Sequence, residues 1–108
     1  MSSEILPALA DLLEQRKHAD AQSSYTAKLL QGSTDKILKK VIEEAGEVLM
    51  AAKDGDREHL IYETADLWFH SMVLLAQQGI RVESVLAELA RRQGVSGLAE
   101  KAARQHAE

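Results

Sequence analysis

The chain has 108 residues, of which 45% are hydrophobic but only 4% aromatic, and its formal net charge at pH 7 is −4. This length fits one domain over residues 1–108; the absence of cysteine excludes disulfides and thiolate metal sites, and the negative charge disfavours a general nucleic-acid-binding surface. No secretory signal is recognisable, and no stretch reaches the roughly 18 uninterrupted apolar residues of a membrane span, so we expect a cytoplasmic protein outside the membrane.

Helices are predicted along most of the chain, because the apolar residues recur at helical spacing and glycine and proline are sparse. The predicted fold class is all-α. A short turn at residues 54–56 joins the two longest helices, which should therefore be antiparallel neighbours. Ser33, Thr34 and Asp35 offer capping side chains for the first of these two. The predicted helices span residues 4–17, 25–31, 35–53, 57–78 and 82–93, followed by a polar tail over residues 95–108.

The predicted helix over residues 57–78 is apolar around most of its circumference. At about 100° per residue, its polar side chains fall on a strip only about 60° wide. A solvated helix face is usually broader than this. The narrow strip therefore indicates a polar cleft inside the folded protein, and its members are His59, Glu63, Asp66, His70 and Gln77.

The predicted helix over residues 35–53 places two carboxylates beside its apolar face. Glu44 falls about 20° outside Ile37, at the edge of that face, and Glu47 lies about 60° further round. The expected core positions of this helix are Ile37, Val41, Ala45, Val48 and Ala52, with Leu38, Ile42 and Leu49 widening the core face. Together, Glu44, Glu47, Glu63 and Asp66 form the acidic quartet, which we expect to meet between the two antiparallel helices.

Four converging carboxylates destabilise a fold unless a cation or shared protons compensate their charge. Oxygen ligands without cysteine suit a hard ion such as Mg²⁺. A Glu-x-x-Glu pair is also common on solvated helices, and a non-catalytic dimerisation module with a buried polar strip is the alternative hypothesis. A di-iron bundle is excluded, since no histidine is preceded by glutamate at the required spacing. We interpret His59 and His70 as hydrogen-bonding groups around the carboxylates.

Glu43 and the acidic quartet resemble the paired acidic motif of the all-α nucleotide pyrophosphohydrolases, the MazG-like superfamily. Residues 24–30, 35–37, 51–56 and 96–102 are similar to the phosphoribosyl-ATP pyrophosphatases in particular. The resemblance covers nearly the whole chain. It implies a MazG-like antiparallel helical bundle completed by homodimerisation, and hydrolysis of phosphoribosyl-ATP to phosphoribosyl-AMP and pyrophosphate, the second step of histidine biosynthesis.

The resemblance also implies a role for each matching residue. The acidic quartet would hold Mg²⁺, and either Glu43 or Glu47 would activate the attacking water. Tyr25 and Thr26 are the candidate nucleotide contacts. The candidate phosphate-binding residues are Lys28, Lys36, Lys40 and Lys53. Relatives that act on dUTP, dCTP or other nucleoside triphosphates carry the same acidic motif, so a house-cleaning triphosphate pyrophosphatase is the alternative enzyme.

Overall fold

The computed structural model describes residues 4–94 together with Gly97, Lys101 and Arg104. Within these residues the fold is entirely helical, which confirms the all-α prediction, and none of the helices is long and apolar enough to cross a membrane. The helices are α1 (Ile5–Arg16), α2 (Tyr25–Gln31), α3 (Thr34–Asp54), α4 (Arg57–Gln77) and α5 (Val82–Gln93). The predicted bounds of α2 and α5 agree, and those of the other helices differ by one residue at one or both ends. Most of the predicted polar tail lies outside the described residues.

The hairpin of α3 and α4 is the framework of the molecule. Gly55 ends α3 with a φ of 71°, a conformation in which a side chain is disfavoured. Asp56 then caps α4, accepting a hydrogen bond from the His59 backbone N–H at 3.1 Å. At the other end of α3, Ser33 occupies the N-cap position but its side chain makes no capping hydrogen bond. The predicted side-chain cap at residues 33–35 is therefore wrong.

The aliphatic core lies where α1, α2 and α5 cover the second half of α4 and the start of α3. Its fully buried large side chains are Leu13, Ile37 and Val73. Leu29 of α2 and Val82 of α5 complete this cluster. Burial of these side chains fixes α2 against α4, because each contributes roughly 1.5 to 3 kcal/mol when fully removed from water. The position of α2 determines where Tyr25, its first residue, lies relative to α4.

The buried stripe of α3 differs from the predicted one. Ile37, Glu44 and Ala51, spaced seven residues apart, are its buried positions, whereas Ala45 and Ala52, predicted for the core, are exposed. Glu44 therefore lies in the middle of the buried stripe rather than at its edge. The reason is that α3 carries two apolar stripes, and the hairpin buries the one that includes Glu44.

The second apolar stripe remains exposed, so the prediction that Leu38, Ile42 and Leu49 widen the core face is wrong for this chain alone. On α3 it follows a four-three spacing, and a matching stripe on α4 continues it across the hairpin. Ile42 is 74% exposed and Trp68 is 58% exposed, which is unusual for side chains of this size. We refer to this surface as the apolar seam, and its large members are Leu38, Ile42, Leu49, Ile61 and Trp68.

Candidate active site

The turn at Gly55 sets the register of the acidic quartet. Glu44 lies eleven residues before Gly55 and Asp66 eleven after it, while Glu47 and Glu63 are each eight residues away. Folding the hairpin back on itself therefore places Glu44 opposite Asp66 and Glu47 opposite Glu63. The structure brings the quartet together as two neighbouring groups, each of which also contains a histidine of α4.

Glu44, Asp66 and His70 form the inner triad. Their candidate ligand atoms all lie within 4.8 Å of one another. Glu44 is buried, and His70 is only 4% exposed. The His70 Nδ1 atom lies 2.9 Å from the backbone oxygen of Asp66 and 3.6 Å from its Oδ1 atom. His70 is thus a hydrogen-bonding group beside the carboxylates, as predicted.

Glu47, His59 and Glu63 form the outer triad, again with candidate ligand atoms within 4.8 Å of one another. Glu63 is buried, whereas Glu47 and His59 are exposed. The His59 Nε2 atom lies 2.9 Å from Glu63 Oε2. Since the cap at Asp56 fixes the first turn of α4, His59 is well placed to orient the Glu63 carboxylate from the rim of the site.

The inner triad concentrates negative charge that the described residues offset only in part. Burial raises the pKa of Glu44, and the charge of the Asp66 carboxylate and a hydrogen bond with it raise that pKa further. The nearest cation is Lys40, whose Nζ atom is 4.0 Å from Glu44 Oε1 and 3.8 Å from Glu43 Oε1. Carboxylate oxygens crowded in this way fit a hard divalent cation such as Mg²⁺, which would relieve their repulsion.

The other predicted site residues lie outside the two triads. Glu43 is exposed and faces Lys40 rather than the quartet. Thr26 is half-buried on α2. The three remaining lysines are exposed and make no ion pair within the described part of the chain; they are Lys28, Lys36 and Lys53.

Tyr25 connects α2 to the inner triad. Ser24 caps α2 by accepting a hydrogen bond from the Ala27 backbone N–H, and this cap orients the first residue of the helix. The Tyr25 hydroxyl oxygen lies 3.1 Å from His70 Nε2, while Tyr25 as a whole remains 54% exposed. Sequence reasoning named both residues but missed this link. The sequence did signal that His70 belongs to the site, because it lies four residues after Asp66 on the same narrow polar strip.

A profile of the phosphoribosyl-ATP pyrophosphohydrolase family matches residues 6–93. The chain belongs to this family. It is 62% identical over 104 residues to a phosphoribosyl-ATP pyrophosphatase of Neisseria gonorrhoeae, covering 96% of this chain and 97% of the relative. It is 57% identical to that of Chromobacterium violaceum, with 96% of each chain covered, and 56% identical to that of Nitrosomonas eutropha, covering 95% and 88%.

The match to the phosphoribosyl-ATP pyrophosphohydrolase family includes both triads. Residues 6–93 contain the whole acidic quartet, Tyr25 and the four candidate lysines. The family resemblance drawn from the acidic motif is therefore confirmed. Both triads, with the buried Glu44 and Glu63, lie within the residues that the family profile matches.

Proposed function

We propose that this chain hydrolyses phosphoribosyl-ATP to phosphoribosyl-AMP and pyrophosphate, the second step of histidine biosynthesis. The reaction breaks the α–β phosphoanhydride bond, and water supplies the oxygen that completes the new phosphate. One observation carries the proposal: in a member of this family, Glu44 and Glu63 are both buried with the other quartet carboxylates around them. Within the described residues, the basic partners in ion-pair distance are Lys40, 4.0 Å from Glu44, and His59, 2.9 Å from Glu63. Burial of two carboxylates among further carboxylates is costly and calls for a functional reason.

The acidic quartet would hold Mg²⁺ in this proposal. When bound, the ion supplies positive charge that offsets the negative charge of the phosphate oxygens. The chain contributes oxygen ligands from both helices of the hairpin, and His59 contributes a hydrogen bond that fixes the orientation of Glu63.

Glu47 is the better candidate for activating water. It belongs to the outer triad and is exposed, so its carboxylate is accessible to solvent next to Glu63. Glu43, the other candidate, lies outside both triads and is paired with Lys40. In this assignment a Glu47 carboxylate oxygen accepts the proton of the attacking water.

The lysines on the amino-terminal half of α3 are the leading candidates for phosphate binding. Lys40 already lies within 4.0 Å of a quartet carboxylate, and Lys36 is one turn away on the same flank of the helix. Lys28, Lys53 and Thr26 remain candidates from the family resemblance.

We also propose that two copies of the chain associate through the apolar seam. The seam consists of exposed apolar side chains of α3 and α4, and one of them, Trp68, also lines an apolar groove of about 210 Å³. A second copy presents the same stripe, and its four-three spacing allows two such helices to interdigitate. Dimerisation would remove from water side chains that a monomer leaves exposed. The cytoplasmic location and the single domain over residues 1–108 complete the proposal.

Pyrophosphate release from a nucleotide panel tests the activity. We expect phosphoribosyl-ATP to be preferred over ATP, dUTP and dCTP, and chelation of divalent cations to stop the reaction. Preference for dUTP or dCTP would instead identify a house-cleaning triphosphate pyrophosphatase. Absence of turnover with every nucleotide, in a protein that still dimerises, would support the non-catalytic dimerisation module.

A further inference from the structure

The hydrogen bonds of His70 fix the proton on one of its ring nitrogens. Nδ1 lies 2.9 Å from the backbone oxygen of Asp66. A carbonyl oxygen only accepts hydrogen bonds, so Nδ1 must be the donor and must carry hydrogen. This holds for the neutral ring and for the charged ring alike.

The second ring nitrogen of His70 forms a hydrogen bond with Tyr25. His70 Nε2 lies 3.1 Å from the Tyr25 hydroxyl oxygen. In the neutral ring Nε2 accepts the hydroxyl proton, and in the charged ring Nε2 donates to the oxygen. Neither form leaves a free lone pair for a metal ion, and Mg²⁺ prefers oxygen ligands. His70 is therefore poorly suited to ligate metal, although it lies among the atoms of the inner triad.

The arrangement instead holds the Tyr25 ring in place. The His70 ring makes edge-to-face contacts with two aromatic rings. Its centroid lies 5.3 Å from that of Phe69 and 6.2 Å from that of Tyr25. The Tyr25 hydroxyl is tied to a buried group, yet 54% of the residue is exposed. More than half of Tyr25 is therefore accessible to solvent, while its hydroxyl lies beside a residue of the inner triad. Nucleobases stack on accessible aromatic rings whatever their identity, because each base has a π surface.

We propose that His70 is a positioning residue that anchors Tyr25 through its hydroxyl, and that the Tyr25 ring stacks on the nucleobase of the substrate. This inference rests on the proposed function, since it needs a nucleotide whose phosphates lie at the acidic quartet. It assigns Tyr25 to binding rather than to bond cleavage. Loss of the anchor should therefore raise KM and leave kcat nearly unchanged.

Four variants separate the ring from its anchor. Tyr25→Leu removes the ring and should raise KM for phosphoribosyl-ATP by about tenfold. Tyr25→Phe keeps the ring but loses the hydroxyl, and His70→Asn keeps an Nδ1-like donor but does not reach Tyr25. Both should raise KM by a similar, smaller factor. His70→Gln places an amide near the former Nε2 position and should recover a KM close to that of the wild type.

The double variant Tyr25→Phe/His70→Asn provides the decisive comparison. If His70 acts through Tyr25, the double variant should be no worse than the poorer single variant. Effects on KM that multiply, or a tenfold loss that falls on kcat, would overturn the proposal. Because Tyr25 is largely exposed, its variants should fold even if a substitution at the buried His70 does not.

Metal binding measured without turnover gives an independent readout. Titration with Mn²⁺, followed by the electron paramagnetic resonance of the free ion, should give the same Kd for the wild type, Tyr25→Phe and His70→Asn. Weakening of Mn²⁺ binding by His70→Asn alone would show that His70 is a ligand after all. Long-range ¹H–¹⁵N spectra of the wild type should also show hydrogen on His70 Nδ1 with and without Mg²⁺.

Failure of the inference is distinguishable from failure of the proposed function. If wild-type protein releases no pyrophosphate from phosphoribosyl-ATP, the proposed function fails. If the wild type is active but Tyr25→Leu leaves KM unchanged, only the present inference fails.

Discussion

Along α3, the stripe that packs in the hairpin buries a carboxylate, whereas the adjacent stripe exposes large aliphatic side chains. Glu44 is 7% exposed and Ile42 is 74% exposed, although the two residues are only two positions apart. Burial in soluble proteins normally runs the other way. A helix that buries a carboxylate and exposes large aliphatic side chains has a sequence that reflects binding as well as the stability of the fold.

The two stripes differ in the partner that each requires. Around Glu44 the described residues supply Lys40 at 4.0 Å and His70 against the neighbouring carboxylates, so the proposed function adds a cation from solution. Ile42 is left 74% exposed by the described residues, so the proposed dimer adds apolar surface from a second copy. In the proposed function, the hairpin has one face for an ion and nucleotide and another for a second subunit, and substitutions can test each face separately.

The largest expected effect follows from removing a buried carboxylate. Glu63→Gln should reduce kcat by roughly 100-fold or more, because the substitution removes a charged oxygen from the outer triad while preserving the shape of the side chain. Pyrophosphate release measures this loss, and circular dichroism should show an intact helical fold. Glu58→Gln, an equivalent change at an exposed position of the same helix, is the control. Equal activity of the two variants would remove the acidic quartet from the mechanism.

Breaking the apolar seam should come next. Ile42→Glu places a charge at its most exposed member and should weaken dimerisation by roughly 2 kcal/mol or more, about 30-fold in Kd. Sedimentation equilibrium measures this change. Lys39→Glu, on the solvent side of α3, should leave the dimer intact. A wild-type chain that sediments as a monomer at all concentrations tested would contradict the proposed homodimer.

The charge of the buried stripe should appear in the pH dependence of stability. The pKa of Glu44 is raised by burial and by Asp66, so the folded protein binds this proton more tightly than the unfolded chain. Without Mg²⁺, the free energy of unfolding should fall as pH rises from the ordinary carboxyl pKa of 4.5 through the raised folded value, and the penalty should persist above it. Glu44→Gln should therefore stabilise the metal-free protein near pH 7 and have little effect at low pH.

Urea unfolding in a chelating buffer across this pH range measures the difference between variant and wild type. Glu88 of α5 supplies a control of opposite sign, because hydrogen bonds from Arg91 and Arg92 lower the pKa of its carboxyl to about 2. Glu88→Gln should slightly destabilise the protein near pH 7, and less so as pH falls towards 2. Adding Mg²⁺ should stabilise the wild type more than Glu44→Gln. If the difference in the free energy of unfolding between Glu44→Gln and the wild type does not vary with pH, the interpretation that the charge of Glu44 destabilises the metal-free fold is wrong.

Sequence periodicity predicted the helices well where a glycine or an aspartate marks their ends. Gly55 and Asp56 end one helix and cap the next, and the bounds of α2 and α5 agree with the prediction. The same periodicity placed Glu44 at the edge of the buried face, since α3 carries two apolar stripes. Periodicity alone does not say which stripe meets α4.

Local sequence patterns could not predict the contact between Tyr25 and His70. The two residues are 45 positions apart, and their hydrogen bond depends on how α2 docks on α4 through the core around Leu29 and Val73. The register of the quartet was predictable because a single turn separates its halves. Docking of α2 involves several elements and a loop, so no simple spacing rule gives it.

The smallest expected effect concerns Gly46, an exposed residue within α3. A Cβ atom added there meets nothing within 4 Å, so no contact among the described residues explains the glycine. Gly46→Ala should stabilise an isolated chain by about 0.5 to 1 kcal/mol, because glycine is a poor helix former. Thermal unfolding of the Ile42→Glu background measures this gain. In the proposed wild-type dimer, a gain of equal size would mean that the second subunit does not contact Gly46. A loss of stability would mean that the second subunit packs closely against Gly46.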